Sequence, residues 1–152
     1  MNRSIAGAAK IYVDSNVLIY LIEGLEPFAG LAARTFEIAG RAGAQVVTSQ
    51  LSAAECMIRP FRESNSRLIH DYERLFENQS DITLLALDYG IVKHAAEVGG
   101  ALGLKLVDAL HIASAMAAGC EVFVTNDRNI SAPGGIEIVQ LSTIGSSLDP
   151  RA

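Results

Sequence analysis

Four acidic residues stand where a carboxylate could do chemistry. Asp14 directly follows the apolar run KIYV, and Asp127 follows EVFVT after Asn126. Glu55 lies about two helical turns after QVVT, and Asp108 opens the apolar stretch LVDALHIASAM. Carboxylate oxygens are the ligands that Mg²⁺ and Mn²⁺ prefer, and such cations promote hydrolysis of phosphodiester bonds. The four acids therefore indicate metal-dependent phosphoryl chemistry.

The surroundings of these acids favour a shared cation. Glu55 and Asp108 lie among apolar neighbours, where an unpaired carboxylate is strongly disfavoured. Few basic residues are near them in sequence, namely Arg59, Lys105 and Arg128. A divalent cation, Mg²⁺ or Mn²⁺, would satisfy all four acids together. Asn16 and Thr125 are placed to orient a carboxylate or a water beside that cation.

Each acid also has an ordinary structural explanation, and both explanations stay open at this point. Acids and hydroxyls are common at helix starts and in turns because they bond the nearby backbone. The structural roles are an N-cap for Asp14 or Ser15, a capping box of Ser52 with Glu55, a helix-dipole contact for Asp108 and an Asx turn for Asp127.

His111 follows Asp108 by one helical turn and would reach the same helix face. We interpret it as a packed or supporting histidine, because a site for hard cations prefers oxygen ligands. The arginines after Glu55 alternate with acids and indicate a solvated helix face. The sequence contains no glycine-rich phosphate loop or dinucleotide fingerprint, so nucleotide cofactors have no support.

The elements that must position the acids alternate along the chain. Short β-branched runs predict strands at 10–13, 45–48, 82–85, 121–125 and 136–139. Three- and four-residue apolar spacing predicts helices at 17–22, 28–41, 49–59, 64–78, 89–102 and 107–118. This order predicts an α/β fold, a three-layer α/β/α sandwich around a central parallel sheet of about five strands. Parallel strands bring their carboxyl ends to one edge, where ligands bind.

Composition limits the alternatives. The 152 residues allow one domain, which we place at 10–141 with tails at 1–9 and 142–152. A net charge of −5 excludes a broad basic surface for polyanions but leaves metal-mediated phosphate binding open. Cys56 and Cys120 are separate and in apolar stretches, as in a reducing cytoplasm. The sequence shows neither a convincing signal peptide nor an apolar span, so we expect a cytoplasmic protein without a membrane.

Three segments together resemble the signature segments of PIN domains. They are IYVDSNVLIYLIEG, SQLSAAECMIRP and KLVDALHIASAMAAGCEVFVTND, and the resemblance is closest to VapC-like ribonuclease toxins. The segments lie within residues 11–127. Their order and spacing are specific together although each segment alone is weak, and residues 61–87 and the C-terminal tail carry no comparable motif.

The resemblance implies a three-layer parallel fold and an endoribonuclease that hydrolyses RNA with Mg²⁺ or Mn²⁺. It implies metal-ligand and catalytic roles for Asp14, Glu55, Asp108 and Asp127, with Asn16 and Thr125 supporting them. It also implies a homodimer and a cognate antitoxin protein, as in VapBC-like toxin–antitoxin pairs.

Two other function classes compete with a ribonuclease. One is a non-catalytic α/β binding or regulatory module in which the acids are helix caps. The other is a phosphatase or phospho-acceptor receiver. The second is weakened because Asp14-Ser15-Asn16 lacks a second acid two residues after the first, and no late-strand lysine is suitably placed.

Overall fold

A parallel sheet forms the centre of the fold. The computed structural model describes residues 5–78 and 81–147. The strands are β1 Lys10–Val13, β2 Gln45–Ser49, β3 Thr83–Leu85, β4 Val122–Thr125 and β5 Glu137–Gln140. All are paired in parallel in the order β3-β2-β1-β4-β5. The strand order therefore reverses at β1, and a crevice is expected where the carboxyl ends of β1 and β4 meet.

Helices cover both faces of this sheet. They are α1 Ser15–Glu23, α2 Phe28–Ala42, α3 Gln50–Arg62, α4 Ser66–Glu77, α5 Tyr89–Leu102, α6 Leu106–Ala117 and α7 Leu141–Ser147. Ile11 and Val13 face a core shared with α1 to α4 and α7. Tyr12, between them, faces the opposite core, shared with α5 and α6. The predicted three-layer α/β/α sandwich with five parallel strands is confirmed.

The turn between α5 and α6 places an acid at the carboxyl edge of the sheet. Gly103 ends α5 with φ 67°, a left-handed conformation that glycine adopts without steric cost. The backbone N–H of Gly103 bonds the carbonyl of Gly99, and α6 begins at Leu106. Asp108 consequently lies in the first turn of α6.

The packed part of the chain is longer than the predicted domain of 10–141. A 3₁₀ turn, Ile5–Gly7, precedes β1, and Ile5 is buried against the core. At the other end α7 follows β5 directly and buries Ile144. Packed elements therefore extend into the predicted tails at residues 5–9 and 142–147, while the division into a domain of 10–141 and tails at 1–9 and 142–152 stays a prediction. These segments were too short to show a period, and residues 1–4 and 148–152 lie outside the described residues.

The predicted helix at 49–59 continues to Arg62 as α3 and includes Pro60. Proline removes one backbone donor, which predicted an earlier end. Pro60 is buried in the last turn, so little of the helix lies beyond the missing bond. The other predicted elements agree with the structure to within one or two residues.

Cys56 and Cys120 are free and buried, as expected. Within the described residues no single helix is long and apolar enough to cross a membrane. Two bent helix pairs, α1 with α2 and α5 with α6, reach the required length and apolarity only when the two helices are taken together.

Candidate functional site

Asp14 is buried at the carboxyl end of β1, where it also begins α1. Its backbone N–H bonds the Val124 carbonyl of β4 at 3.0 Å, which fixes the strand ends side by side. Oδ1 accepts the N–H of Ser15 at 2.8 Å, so the capping explanation holds. Oδ2 accepts the hydroxyl of Thr125 at 2.7 Å. Capping does not exclude metal binding, because each carboxylate oxygen has two lone pairs.

Thr125 and Asn16 connect β4 to the start of α1. The Thr125 hydroxyl oxygen accepts the backbone N–H of Asp127 at 3.0 Å and the side-chain amide of Asn16 at 3.3 Å. The Asn16 carbonyl oxygen in turn accepts the backbone N–H of Asn126 at 3.1 Å. The structure thus holds the TND segment beside Asp14 through both predicted supporting residues.

Asp127 forms the Asx turn that was one of the two explanations for this residue. Its Oδ1 accepts the backbone N–H of Asn129 at 2.9 Å, which is the bond of an Asx turn. The Asp127 carbonyl also accepts the side-chain amide of Gln140 from β5. The turn engages one carboxylate oxygen and is therefore compatible with a further ligand.

Glu55 reaches the same place from α3. Its Oε1 lies 2.5 Å from His111 Nε2, and the same nitrogen lies 3.5 Å from Asp14 Oδ1. Ligand atoms of Asp14, Glu55 and His111 all lie within 4.8 Å of one another. This group, which links β1, α3 and α6, is the compact centre of the site.

The structural explanation of Glu55 is not supported. α3 begins at Gln50, so Ser52 lies inside the helix, and its hydroxyl is hydrogen-bonded to the Thr48 hydroxyl at 2.6 Å. A capping box is therefore not formed. Arg59, a basic residue near Glu55 in sequence, pairs instead with Glu23 at the end of α1.

His111 is packed, as predicted, with only 1% of its surface exposed. Its Nδ1 lies 2.7 Å from the Tyr12 hydroxyl, and the two rings meet edge to face. Burial alone would lower the pKa of His111. The hydrogen bond with Glu55 and the charges of Asp14 and nearby acids outweigh burial, so this pKa is raised.

Asp108 joins the other acids through their charges. Burial in the first turn of α6 raises the pKa of Asp108, and the charges of Asp127 and Asp14 raise it further. His111 and Lys105 act in the opposite direction without cancelling that rise. Asp108 and Asp127 are outside the compact group of Asp14, Glu55 and His111. Asp108 nevertheless interacts electrostatically with Asp14 and His111 of that group and with Asp127.

Sequence reasoning missed Tyr12 and the contact between His111 and Glu55. Tyr12 alternates with Ile11 and Val13, so strand periodicity places its side chain on the α6 side of the sheet. That alternation was the available signal. The rotation of α6, which turns His111 toward Tyr12, has no equivalent signal in the sequence.

Comparison with known families identifies the fold. A family model for the PIN domain matches residues 11–135. The chain belongs to the PIN domain family. No curated protein sequence matches it.

Solved structures share the architecture of this PIN domain. It is similar to VapBC2 from Rickettsia felis, bound to a promoter DNA fragment, with TM-score 0.68 and 13% identity over 86% of this chain and 98% of the other. It is similar to VapC20 from Mycobacterium tuberculosis, a Sarcin-Ricin loop cleaving toxin, with TM-score 0.66 and 19% identity over 84% and 97%. DNA-bound VapBC from Salmonella typhimurium gives TM-score 0.62 and 19% identity over 87% and 98%. At these identities the likeness shows a shared fold.

The donor set of this PIN domain fits a hard divalent cation. Asp14 and Glu55 offer carboxylate oxygens in the compact group, and burial together with repulsion from Asp127 and Asp14 raises the pKa of Asp108. A divalent cation relieves that repulsion and prefers oxygen ligands. Both ring nitrogens of His111 already have partners in Glu55 and Tyr12. The carboxylates are therefore the ligands that the site offers.

Proposed function

We propose that this PIN domain is a divalent-metal-dependent endoribonuclease that hydrolyses RNA phosphodiester bonds. The observation that carries the proposal is the arrangement of acids at the carboxyl ends of β1 and β4. Asp14 and Glu55 share His111 there, and the charges of Asp108 and Asp127 act on each other. Membership of the PIN family supports the same activity.

In this proposal Asp14, Glu55, Asp108 and Asp127 are the metal ligands and catalytic residues, with Mg²⁺ or Mn²⁺ as the cofactor. A bound cation lowers the pKa of water and stabilises negative charge that develops on the phosphate. The cation also reverses the local negative potential, so a polyanion can approach a chain of net charge −5.

The chain's own side chains keep the ligands in place. The Thr125 hydroxyl donates a hydrogen bond to Asp14 Oδ2, which fixes the carboxylate at the strand end. Asn16 clamps the backbone of Asn126, so the segment that carries Asp127 stays beside α1. These bonds preorganise two acids from opposite ends of the sequence before a substrate arrives.

We further propose that the protein is the toxin of a VapBC-like toxin–antitoxin pair, acts in the cytoplasm and forms a homodimer. The proposal is supported by the fold shared with VapC toxins. Exposed apolar side chains on α3, α5 and α6 offer surfaces for protein partners, among them Ile58, Phe61, Tyr89 and Leu106.

The ribonuclease is tested by cleavage of a labelled structured RNA pool with Mn²⁺, Mg²⁺ or EDTA. Wild type is expected to give discrete products that need metal, and Asp108→Asn is expected to give none. Asp81→Asn is the matched control, because Asp81 is an exposed acid before β3 at the opposite edge of the sheet. A fully active Asp108→Asn protein would contradict the proposal, and parallel purification of the variants controls for contaminating ribonuclease.

A binding module remains the competing function, and two observations favour it. Asp14 caps α1 and Asp127 closes an Asx turn, as that alternative requires. Calorimetry with Mn²⁺ separates the two functions, since a module whose acids serve only as caps takes up no cation. Absence of both metal binding and cleavage would favour the module.

A further inference from the structure

A buried chain of hydrogen bonds runs from Glu55 into the core. His111 Nε2 meets Glu55 Oε1 at 2.5 Å, and His111 Nδ1 meets the Tyr12 hydroxyl at 2.7 Å. The Tyr12 hydroxyl is also hydrogen-bonded to the Ser49 hydroxyl at 2.9 Å. Tyr12, His111 and Ser49 are each 1% exposed or less. The chain therefore connects a candidate metal ligand to three groups that solvent does not reach.

The hydrogen bond with Tyr12 fixes the orientation of the His111 ring. If the Tyr12 hydroxyl donates to Nδ1, the neutral ring must carry its proton on Nε2. If the hydroxyl proton points to Ser49, the hydroxyl oxygen accepts a hydrogen bond from Nδ1–H, and the same contact holds the ring. In both cases the bond to Tyr12 holds the ring with Nε2 facing Glu55 Oε1.

The position of the Tyr12 hydroxyl is itself fixed by the core. The Tyr12 ring stacks on Phe123 of β4 with centroids 5.0 Å apart and planes at 12°. β1 and β4 are paired side by side, with Tyr12 opposite Phe123. The hydroxyl is therefore held by the sheet, independently of the site it supports.

Glu55 needs such support more than Asp14 does. Its side chain is 31% exposed, against 8% for Asp14. A glutamate has three side-chain torsions and would sample several rotamers without a fixed partner. Asp14 is held by Ser15 and Thr125. His111 is the corresponding anchor for Glu55 Oε1.

We propose that Tyr12 is a positioning residue of the candidate metal site, orienting His111 so that His111 holds Glu55 ready for a divalent cation. The inference rests on the proposed function, because it assigns Glu55 a role in metal binding. Outer groups that orient metal ligands typically change metal affinity by about 10- to 100-fold.

Calorimetric titration of the full chain with MnCl₂ tests this role. Tyr12→Phe keeps the ring against Phe123 and removes only the hydroxyl, and we expect roughly 10-fold weaker Mn²⁺ binding. Tyr72→Phe is the matched control. It removes another buried hydroxyl, which donates to Glu23 and not to a site acid. This control is expected to bind Mn²⁺ as wild type does.

The Glu55→Gln background separates positioning from general packing. If Tyr12 acts through Glu55, adding Tyr12→Phe to Glu55→Gln causes little further loss of Mn²⁺ affinity. A full 10-fold loss in that background, or equal affinities of Tyr12→Phe and wild type, would overturn the inference. Failure of wild type to bind Mn²⁺ would instead overturn the proposed function.

Two further measurements keep the test decisive. Long-range ¹H–¹⁵N spectra of the metal-free protein report the His111 ring, and unchanged ring nitrogen shifts in Tyr12→Phe would contradict the orientation step. Circular dichroism verifies folding. If Tyr12→Phe does not fold, Ser49→Ala replaces it, because Ser49 is the far end of the chain. A smaller loss of Mn²⁺ affinity in Ser49→Ala is expected, and no loss would overturn the inference.

Discussion

Two buried clusters of this chain each join a tyrosine to a carboxylate, but they balance charge differently. On the α1 side, the Tyr72 hydroxyl donates to Glu23 Oε2 at 2.6 Å, and the guanidinium of Arg59 pairs with Glu23. At the carboxyl edge of the sheet, Tyr12 acts through His111 on Glu55. Glu55 is one of several carboxylates there, because Asp14 and Asp127 interact electrostatically with Asp108 at the same edge.

The difference separates a structural ion pair from a candidate binding site. Glu23 is 8% exposed in its side chain and has a permanent cationic partner. Burial and the repulsion of Asp127 and Asp14 together raise the pKa of Asp108 despite His111 and Lys105. A cluster that completes its own charge balance stabilises the fold, whereas one with excess like charge is poised to take up a cation.

The largest expected effect compares Asp14→Asn with Glu23→Gln in RNA cleavage. Asp14→Asn should lower the rate by more than the roughly 10- to 100-fold typical of groups that only orient metal ligands, because it removes a ligand charge. Glu23→Gln should leave cleavage near that of wild type. Equal damage by both substitutions would show that the two clusters do not differ in function.

Thermal unfolding with Mn²⁺ sharpens the comparison. At about 100 times its dissociation constant, a cation that binds only the folded chain adds about 2.7 kcal/mol, or roughly 5 to 10 °C in Tm for a chain of this size. The shift should be lost in Asp14→Asn and kept in Arg59→Gln. The same shift in both variants would place the cation away from the edge acids.

Arg59→Gln breaks the balanced cluster and should weaken folding even in EDTA. Removing one partner of a buried pair costs about 3 to 5 kcal/mol. Arg59 is 51% exposed, so screening reduces the expected loss to roughly 1 to 2 kcal/mol. Urea unfolding measures it. Arg41→Gln is the control, since Arg41 is 80% exposed in its pair with Glu37 and should cost about 0.5 kcal/mol or less.

Asp108→Asn should have the smallest effect on stability and the opposite sign. Because the pKa of Asp108 is raised, ionised Asp108 destabilises the folded state. Relative to that ionised form, protonated Asp108 stabilises the folded state at low pH, and this stabilisation is lost as the pH rises through the folded pKa. In EDTA at pH 7 the variant should gain a few tenths of a kcal/mol, because Asp108 is partly exposed and the helix dipole opposes the gain.

This gain should disappear below about pH 3.9, the ordinary pKa of aspartate. Urea unfolding of both proteins at the two pH values measures the difference. A clear loss of stability in Asp108→Asn at pH 7 would mean that the edge acids are already balanced without a cation.

The fold was predictable because its strands are nearly continuous apolar runs. KIYV, QVVT and the VFVT of β4 are buried on both faces, and such runs separated by helices specify a parallel sheet. The rule that ligands bind at the carboxyl ends of strands selected Asp14 and Asp127 from the many acids of the chain. α7 escaped prediction because a short helix shows too few turns for a period.

The internal arrangement of the site was less accessible. Sequence reasoning treated helix capping and ligand binding by Asp14 as alternatives, yet the carboxylate can serve both because its oxygens point to different partners. The bond between His111 and Glu55 depends on the rotation of two helices about their axes. A linear pattern gives the apolar face of a helix but not its angle against a distant neighbour.

The bond from Thr125 to Asp14 spans 111 positions of the chain, and this has a consequence during synthesis. A growing polypeptide exposes Asp14 well before β4 and the turn at Asp127 emerge. Until β4 inserts beside β1, Asp14 lacks the partner that fixes it. A chain that has not reached Asp127 therefore cannot assemble the full set of acids, and the proposed nuclease activity would begin only after β4 has joined the sheet.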